Sequence, residues 1–291
     1  MSAAAGAAYL RVGGPLARLR RDRGTLAAAV ALIALVLFCV AGPWLAGALG
    51  LDGTTMRFEL GSAPPSRAHW FGTDPQGRDL LVRVMLGGRV ALAVAAITTV
   101  LAVGVGVAFG AVAAYAGGVV DYAMMRLVDA LYGLPTVALV IVVMALRDSR
   151  SLSLLVAILA AVSWLTLARV VRAQVRSLRD REFVEAARGL GASAPRVVLR
   201  HILPNLAGLV VVYATLALPQ VMLAEAFLSF LGLGVQAPLA SLGTLVTEGS
   251  AQILVAPWML ACPGLLMAAL VWTLNFLGDG LRDALTPTSA R

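Results

Sequence analysis

The chain has 291 residues, a hydrophobic fraction of 60%, only 13% charged residues and a formal net charge of +8. A soluble chain would carry about a quarter charged residues. Here the mean hydropathy is +0.90, and the apolar runs are long enough to span a bilayer at about 20 residues each. All 23 basic residues are arginines set at the ends of apolar runs and in the segments between them. That is a positive-inside pattern, not the single basic face that nucleic-acid binding needs, so no nucleic-acid partner is expected. Cys39 and Cys262 fall inside apolar runs, which makes them small core residues and neither a disulfide framework nor a metal site. His69 and His201 are far apart with no partner ligands nearby in sequence, so no metal is expected.

Residues 1–25 are polar and hold Arg11, Arg18, Arg20, Arg21 and Arg23, and an apolar run from Leu26 to about Leu49 follows. Ala46-Gly47-Ala48 has the small-residue pattern of a signal-peptide cleavage site. The run is too long for a typical signal core and more spans follow, so an uncleaved signal anchor is expected. Further spans are expected at Val90–Tyr115, Met124–Leu146, Leu152–Val170, Leu206–Leu231 and Trp258–Gly278. The fold class is therefore all-α, a polytopic membrane protein with about six transmembrane helices. Pro135, Pro219, Gly104 and Gly106 lie inside these spans, where neighbouring helices can satisfy the freed backbone. Ala102, Gly106 and Gly110 have the small-residue spacing of close helix packing. With the N-terminus inside, inner segments hold 16 arginines and outer ones 7, which puts both termini in the cytoplasm.

Two outer loops, at about 50–88 and 232–257, stand out. In the first, Asp74 can cap a helix with Pro75 at its first position. Leu80, Leu81, Val84 and Met85 share one face, and Arg78, Asp79 and Arg83 the other, with Asp79 and Arg83 at i,i+4. The pattern predicts a short amphipathic helix before the second span, lying at the outer interface or packed on its own domain.

Residues 171–204 form the longest inner segment. Ser177 and Asp180 are candidate caps for a short helix running to Leu190, with Gly189 and Gly191 suited to its end. Ser193 and Pro195 can start a second short helix, which Pro204 breaks before the next span. The first helix has Phe183, Val184, Ala187 and Leu190 on one face and Arg181, Glu182, Glu185 and Arg188 on the other. Ala186 and Ala187 would let a partner surface come close. A rigid knob docking into a partner's cleft fits this pattern, and so does a helix lying on lipid headgroups.

Glu185-Ala186-Ala187, then Gly191, then Leu203-Pro204, resembles the EAA loop of binding-protein-dependent ABC importer permeases; where the family has Ile before Leu-x-Pro, this chain has His201. Three further blocks resemble one subfamily, the DppC/OppC-like second permease of dipeptide, oligopeptide and nickel importers. They are residues 71–79 (FGTDPQGRD), 224–234 (AEAFLSFLGLG) and 277–285 (LGDGLRDAL). The resemblance covers about residues 15–287. It implies a type I ABC importer permease fold, with residues 1–70 as N-terminal segment, first helix and outer loop. Residues 71–287 would be a five-helix core carrying the coupling loop at 177–204.

The same resemblance implies a second homologous permease, two cytoplasmic ATP-binding cassette ATPases and an extracytoplasmic solute-binding protein as partners, besides membrane lipids, in the cell (inner) membrane. Glu185, Ala186, Ala187 and Gly191 would dock the ATPase, with Glu182, Phe183 and Arg188 beside them. Arg196 and Arg200 would face headgroups or the ATPase. The cargo implied is short peptides, with nickel or another small solute as the alternative. The chain is not itself the ATPase, because a Walker A loop needs a lysine and the sequence has none. ATP and Mg would be bound by the partners, with no catalytic residue and no cofactor in this chain.

Glu225 stands about 20 residues into its span, roughly 30 Å along a helix. It is read either as a structural group near the outer end, capping backbone or pairing with an arginine, or as a gate or substrate contact. Gln220, Asn275, Thr215, Thr98 and Thr99 could line a polar path or only bridge helices. Asp129 is expected to pair with Arg126. A gradient-driven transporter would show midplane carboxylate pairs or His relays. An intramembrane enzyme would show a nucleophile and base within the spans. Neither pattern is present in the sequence.

Overall fold

The computed structural model describes residues 22–147, 151–236 and 239–285, and every regular element among them is helical. In chain order these are α1 (Arg23–Ala48), α2 (Leu80–Ala116), α3 (Gly118–Tyr132), α4 (Thr136–Arg147), α5 (Leu152–Arg179), α6 (Glu182–Gly189) and α7 (Ala194–Val197). A π turn (Val198–Ile202) leads into α8 (Leu203–Phe230), followed by α9 (Leu242–Ala251) and α10 (Trp258–Leu285).

Five helical runs are long and apolar enough to cross a membrane: α1, α2, α5, Ala194–Phe230 and α10. The sixth expected span is not one straight helix. It is the pair α3 and α4, bent by 83°. Between them lie Gly133, Leu134 and Pro135, where a proline bars the α conformation of the residue before it. α1 carries Leu26, Val30, Ile33, Leu37 and Trp44 exposed, an apolar face that bilayer lipid can cover.

The amphipathic helix expected from Asp74 does not form separately. The helix starts six residues later, at Leu80, and is continuous with the second span. Asp79 is its N-cap and accepts from the Val82 N–H at 3.1 Å. Asp74 instead holds a turn, accepting from the Gln76 and Arg78 N–H groups at 2.9 and 3.0 Å. Gly77 in that turn has φ +72°, and a Cβ there would lie 1.8 Å from the Arg57 carbonyl. Only glycine fits. Leu80, Leu81, Val82, Arg83, Val84 and Met85 are all buried, so this turn of helix has no interfacial face.

α2 is the central helix and packs most closely on α5. The small-residue spacing explains this approach. A Cβ on Gly106 would stand 3.0 Å from Leu167 Cβ and from the Trp164 carbonyl. One on Gly110 would stand 2.4 Å from the Ala168 carbonyl. One apolar cluster joins α1, α2, α4, α5, α8, α9 and α10, through residues such as Leu80, Val94, Leu155, Met222, Leu245 and Leu270. A second, around Ala114, Val171, Val175, Val184 and Ile202, joins α2 and α5 to the segment after α5.

Pro204 does not break the helix before α8. It lacks an N–H and would collide with the carbonyl four residues back. The π turn at Val198–Ile202 widens the coil beside it, and the run continues to Phe230.

Candidate coupling segment and translocation cleft

α6 follows α5 after two residues and is eight residues long. Ser177 and Asp180 do not cap it: Ser177 lies within α5, Asp180 is the C-cap of α5, and Arg181 is the N-cap of α6 with no side-chain bond. Its C-terminus is as expected. The Gly191 N–H donates to the Arg188 carbonyl at 2.9 Å, and the Ala192 N–H to the Ala187 carbonyl at 3.0 Å. Gly191 has φ +81°. This is a Schellman end, which needs a residue without a Cβ penalty. Glu182 and Glu185 sit in the first turn and Arg188 in the last, each favourable to the helix dipole.

The apolar face of α6 divides in two. Val184 is fully buried and Ala187 nearly so, within the cluster formed with α2 and α5. Phe183 is 41% exposed and Leu190 90% exposed. Glu182, Glu185, Ala186, Arg188 and Gly191 are exposed too. The helix is thus anchored from beneath by Val184 and Ala187, leaving an apolar pair flanked by charges outside. Arg188 also places its guanidinium 5.2 Å from the Tyr115 ring at the end of α2. Arg196 and Arg200 are exposed.

The intramembrane candidates separate. Gln220 lines a cleft of about 330 Å³ between α2, α5 and α8, with Thr99, Ser163, Thr166, Tyr213 and Ala224 among its walls. Among the described residues, no carboxylate or guanidinium lines it. Glu225 is 1% exposed and is not among the cleft-lining residues. It accepts from the Ser229 hydroxyl at 2.8 Å, and Ser229 in turn lies 3.4 Å from the Ser241 hydroxyl at the cap of α9. Through Ser229, Glu225 reaches the cap of α9, with hydroxyls where an arginine was an alternative, and its second carboxylate oxygen is buried without a hydrogen-bond partner among the described residues. Asn275 is exposed on α10 and donates to the Val271 carbonyl at 2.9 Å. Thr215 donates to Val211. The Thr98 and Thr99 hydroxyls are buried without a hydrogen-bond partner among the described residues, and Thr99 borders the cleft.

Several polar partners differ from those expected. Asp129 pairs with Arg169 at 2.8 Å, and Arg126 donates to the Tyr122 hydroxyl. His69 lies 2.9 Å from Asp79. Arg83 does not pair with Asp79. It donates to Asp74 at 2.7 Å and to Glu248 on α9 at 2.8 Å. Asp74 also takes Arg78 at 2.7 Å and is fully buried. This hub clamps the loop before α2 onto α9, and burial of a charge requires such pairing. Asp121 of α3 takes Arg172 of α5 through two hydrogen bonds of 2.5 and 2.6 Å.

The family of binding-protein-dependent transport system inner membrane components matches residues 106–291. Among curated relatives, the Escherichia coli K12 oligopeptide transport system permease protein OppC is 44% identical over 271 residues, covering 93% of this chain and 89% of the relative. The Haemophilus influenzae OppC is 41% identical over 272 residues (93% and 86%). The Bacillus subtilis dipeptide transport system permease protein DppC is 38% identical over 275 residues (94% and 85%). A solved structure, the inward-facing MetNI methionine ABC transporter, superposes with a TM-score of 0.56 at 19% identity, over 70% of this chain and 96% of that one. The chain belongs to the binding-protein-dependent inner-membrane permeases, in the OppC/DppC type of ABC importer permease subunit, with the type I importer fold.

Proposed function

We propose that this subunit forms half of the pathway of an importer for short peptides and that α6 docks a cytoplasmic ATPase. The observation that carries the docking reading is the split face of α6. Val184 and Ala187 hold it to α2 and α5, while Phe183 and Leu190 stay outside between Glu182, Glu185 and Arg188. A free apolar pair rimmed by charge suits a partner protein's cleft. The partners in this reading are a homologous second permease, two ATP-binding cassette ATPases that hold ATP and Mg, and an extracytoplasmic solute-binding protein. This chain has no catalytic role and holds no cofactor. Both termini lie in the cytoplasm of a cell whose inner membrane holds the complex.

The peptide cargo follows the relatives named above. The hydroxyls and amide of the cleft fit it, since they can meet peptide amide groups without selecting side-chain charge. Ala186 and Gly191 belong to the docking surface and its geometry. Ala187 belongs to the anchor, so contact with the ATPase comes from its neighbours.

The test is single-cysteine cross-linking after co-expression with the ATPases and the second permease, in a background lacking Cys39 and Cys262. Phe183→Cys and Ala186→Cys are expected to cross-link to an ATPase, and Ala187→Cys is not. Gly191→Pro is expected to abolish the cross-links while the subunit still inserts. A subunit that inserts but recruits no ATPase refutes the reading.

A further inference from the structure

We infer that Asp121 and Arg172 form a strut that carries displacement of α6 into the wall of the cleft, acting as a positioning pair for transport. This rests on the docking role proposed for α6. One face of α5 presents Thr166, Arg169 and Arg172 at three-residue spacing, which aligns them along a helix. α3 answers with Tyr132, Asp129 and Asp121. The Tyr132 and Thr166 hydroxyls lie 2.6 Å apart. Arg169 donates to Asp129 at 2.8 Å and stands 4.2 Å over the Tyr132 ring. Arg172 grips Asp121 with both Nε and Nη2.

These rungs are unequal. The Arg169 and Asp129 side chains are 42% and 55% exposed, and those of Arg172 and Asp121 31% and 12%. Exposed pairs contribute little. A bidentate, partly buried guanidinium–carboxylate pair fixes geometry as well as energy. It is the firm rung.

Its position matters as much as its strength. The Arg172 backbone nitrogen lies at the closest approach of α2 and α5, 3.0 Å from where a Cβ on Gly110 would stand. Two turns further on, Arg179 donates to the Ala114 carbonyl at 3.1 Å, just before α2 ends. α2 turns into α3 at Gly117 and Gly118, both with positive φ, and beyond that turn the two helices meet through apolar contact such as Ala102 with Val128. A force on α6 passes directly into α5. It passes from α5 into the start of α3 through Arg172 and Asp121. The other end of the ladder is Thr166, which lines the cleft. Val128 of α3 is packed with Ala102, Trp164, Leu165 and Ala168, so apolar contact should keep α3 folded onto the bundle, though not rigidly tied to α5, when the pair is removed.

The experiment uses the complete importer in proteoliposomes with its solute-binding protein and labelled trialanine as the probe. ATPase recruitment, ATP hydrolysis and uptake are measured together. Wild type must recruit the ATPases and transport trialanine; failure there counts against the docking or cargo reading and not against the strut. Asp121→Asn and Arg172→Gln are expected to recruit the ATPases and hydrolyse ATP, with uptake per ATP lowered by about fivefold or more, the lower range of coupling between sites. The exchanged pair, Asp121→Arg with Arg172→Asp, is expected to recover most of it. Unchanged uptake per ATP in the single variants overturns the inference. So does a loss that the exchange does not recover, and so does failure of single and exchanged variants alike to assemble, which would mark a pair needed only for folding.

Discussion

Three glycines on one helix give a graded test of how α2 and α5 meet. A Cβ added at Gly104 would have nothing within 4 Å. At Gly106 it would meet Leu167 and the Trp164 carbonyl at 3.0 Å, and at Gly110 the Ala168 carbonyl at 2.4 Å and the Arg172 nitrogen at 3.0 Å. Glycine to alanine within a helix gains about 0.5–1 kcal/mol from the backbone. Gly104→Ala should show that gain alone. At Gly106 the contact needs a shift of a few tenths of an ångström, so gain and loss roughly cancel. At Gly110 the obstacle is backbone, which cannot rotate away, and overpacking costs about 1–3 kcal/mol. The expected order of stability is Gly104→Ala, then wild type and Gly106→Ala, then Gly110→Ala, lower by about 1–2 kcal/mol. Thermal unfolding in detergent, read by a thiol-reactive dye in a Cys262→Ser background, reports this directly because Cys39 is fully buried in the fold while Cys262 is only partly so. Gly110→Ala as stable as Gly104→Ala would refute the argument that backbone contact sets the helix spacing.

Other outcomes follow from the loop before α2. Arg83→Met leaves Asp74 with Arg78 alone and removes the arginine from Glu248, and should cost about 3 kcal/mol, the lower end for breaking a buried pair. Glu248→Gln should cost under about 1 kcal/mol, because that carboxylate is 42% exposed. The same dye assay ranks them, and equal costs would argue against a buried hub. The Asp52 carboxyl is pulled down to about 2, first by the Thr55 hydroxyl and then by Thr54. Its unfolded value is about 3.9, so its contribution is complete above that pH and is lost as pH falls through about 2. Asp52 is exposed, which keeps the effect under about 1 kcal/mol. Asp52→Asn should remove that part of the acid dependence of unfolding, and an unchanged profile would refute the assignment.

What the sequence makes legible is local chemistry. The end of α6 can be read because a Schellman turn needs glycine where Gly191 stands, and the close helix pair because small residues recur at Ala102, Gly106 and Gly110. The bend between α3 and α4 is only half legible: Pro135 is visible, but a membrane helix can absorb a proline, as the run through Pro219 does. The split of the α6 face is not legible. Val184 and Phe183 are both apolar, and only the position of α5 decides which is covered. The hub is beyond reach for the same reason, since Arg83 and Glu248 stand 165 residues apart. Asp79 and Arg83 have the spacing of a pair, yet each has a better partner from another segment.

α5 joins the two candidate sites physically. Ser163 and Thr166 line the cleft, and 13 residues further Arg179 ends the helix next to α6, a distance of about 20 Å at 1.5 Å per residue. The helix has no proline or glycine across that stretch and so no point at which to bend. Along it α2 has no side chain at Gly106 and Gly110, and the two backbones lie against each other. At those two positions a push on α6 meets backbone and no side chain that could rearrange between α2 and α5. If α6 docks the ATPase as proposed, this contact favours α2 and α5 moving together, and the parts left to yield are α4 beyond the bend at Gly133–Pro135 and α3 beyond its glycine turn. That division predicts where the strut matters. If α3 were packed by apolar contact alone, it could lag behind α5; on the strut inference, Arg172 holds it so that it would move with α5 and Thr166 and Tyr132 would keep their contact.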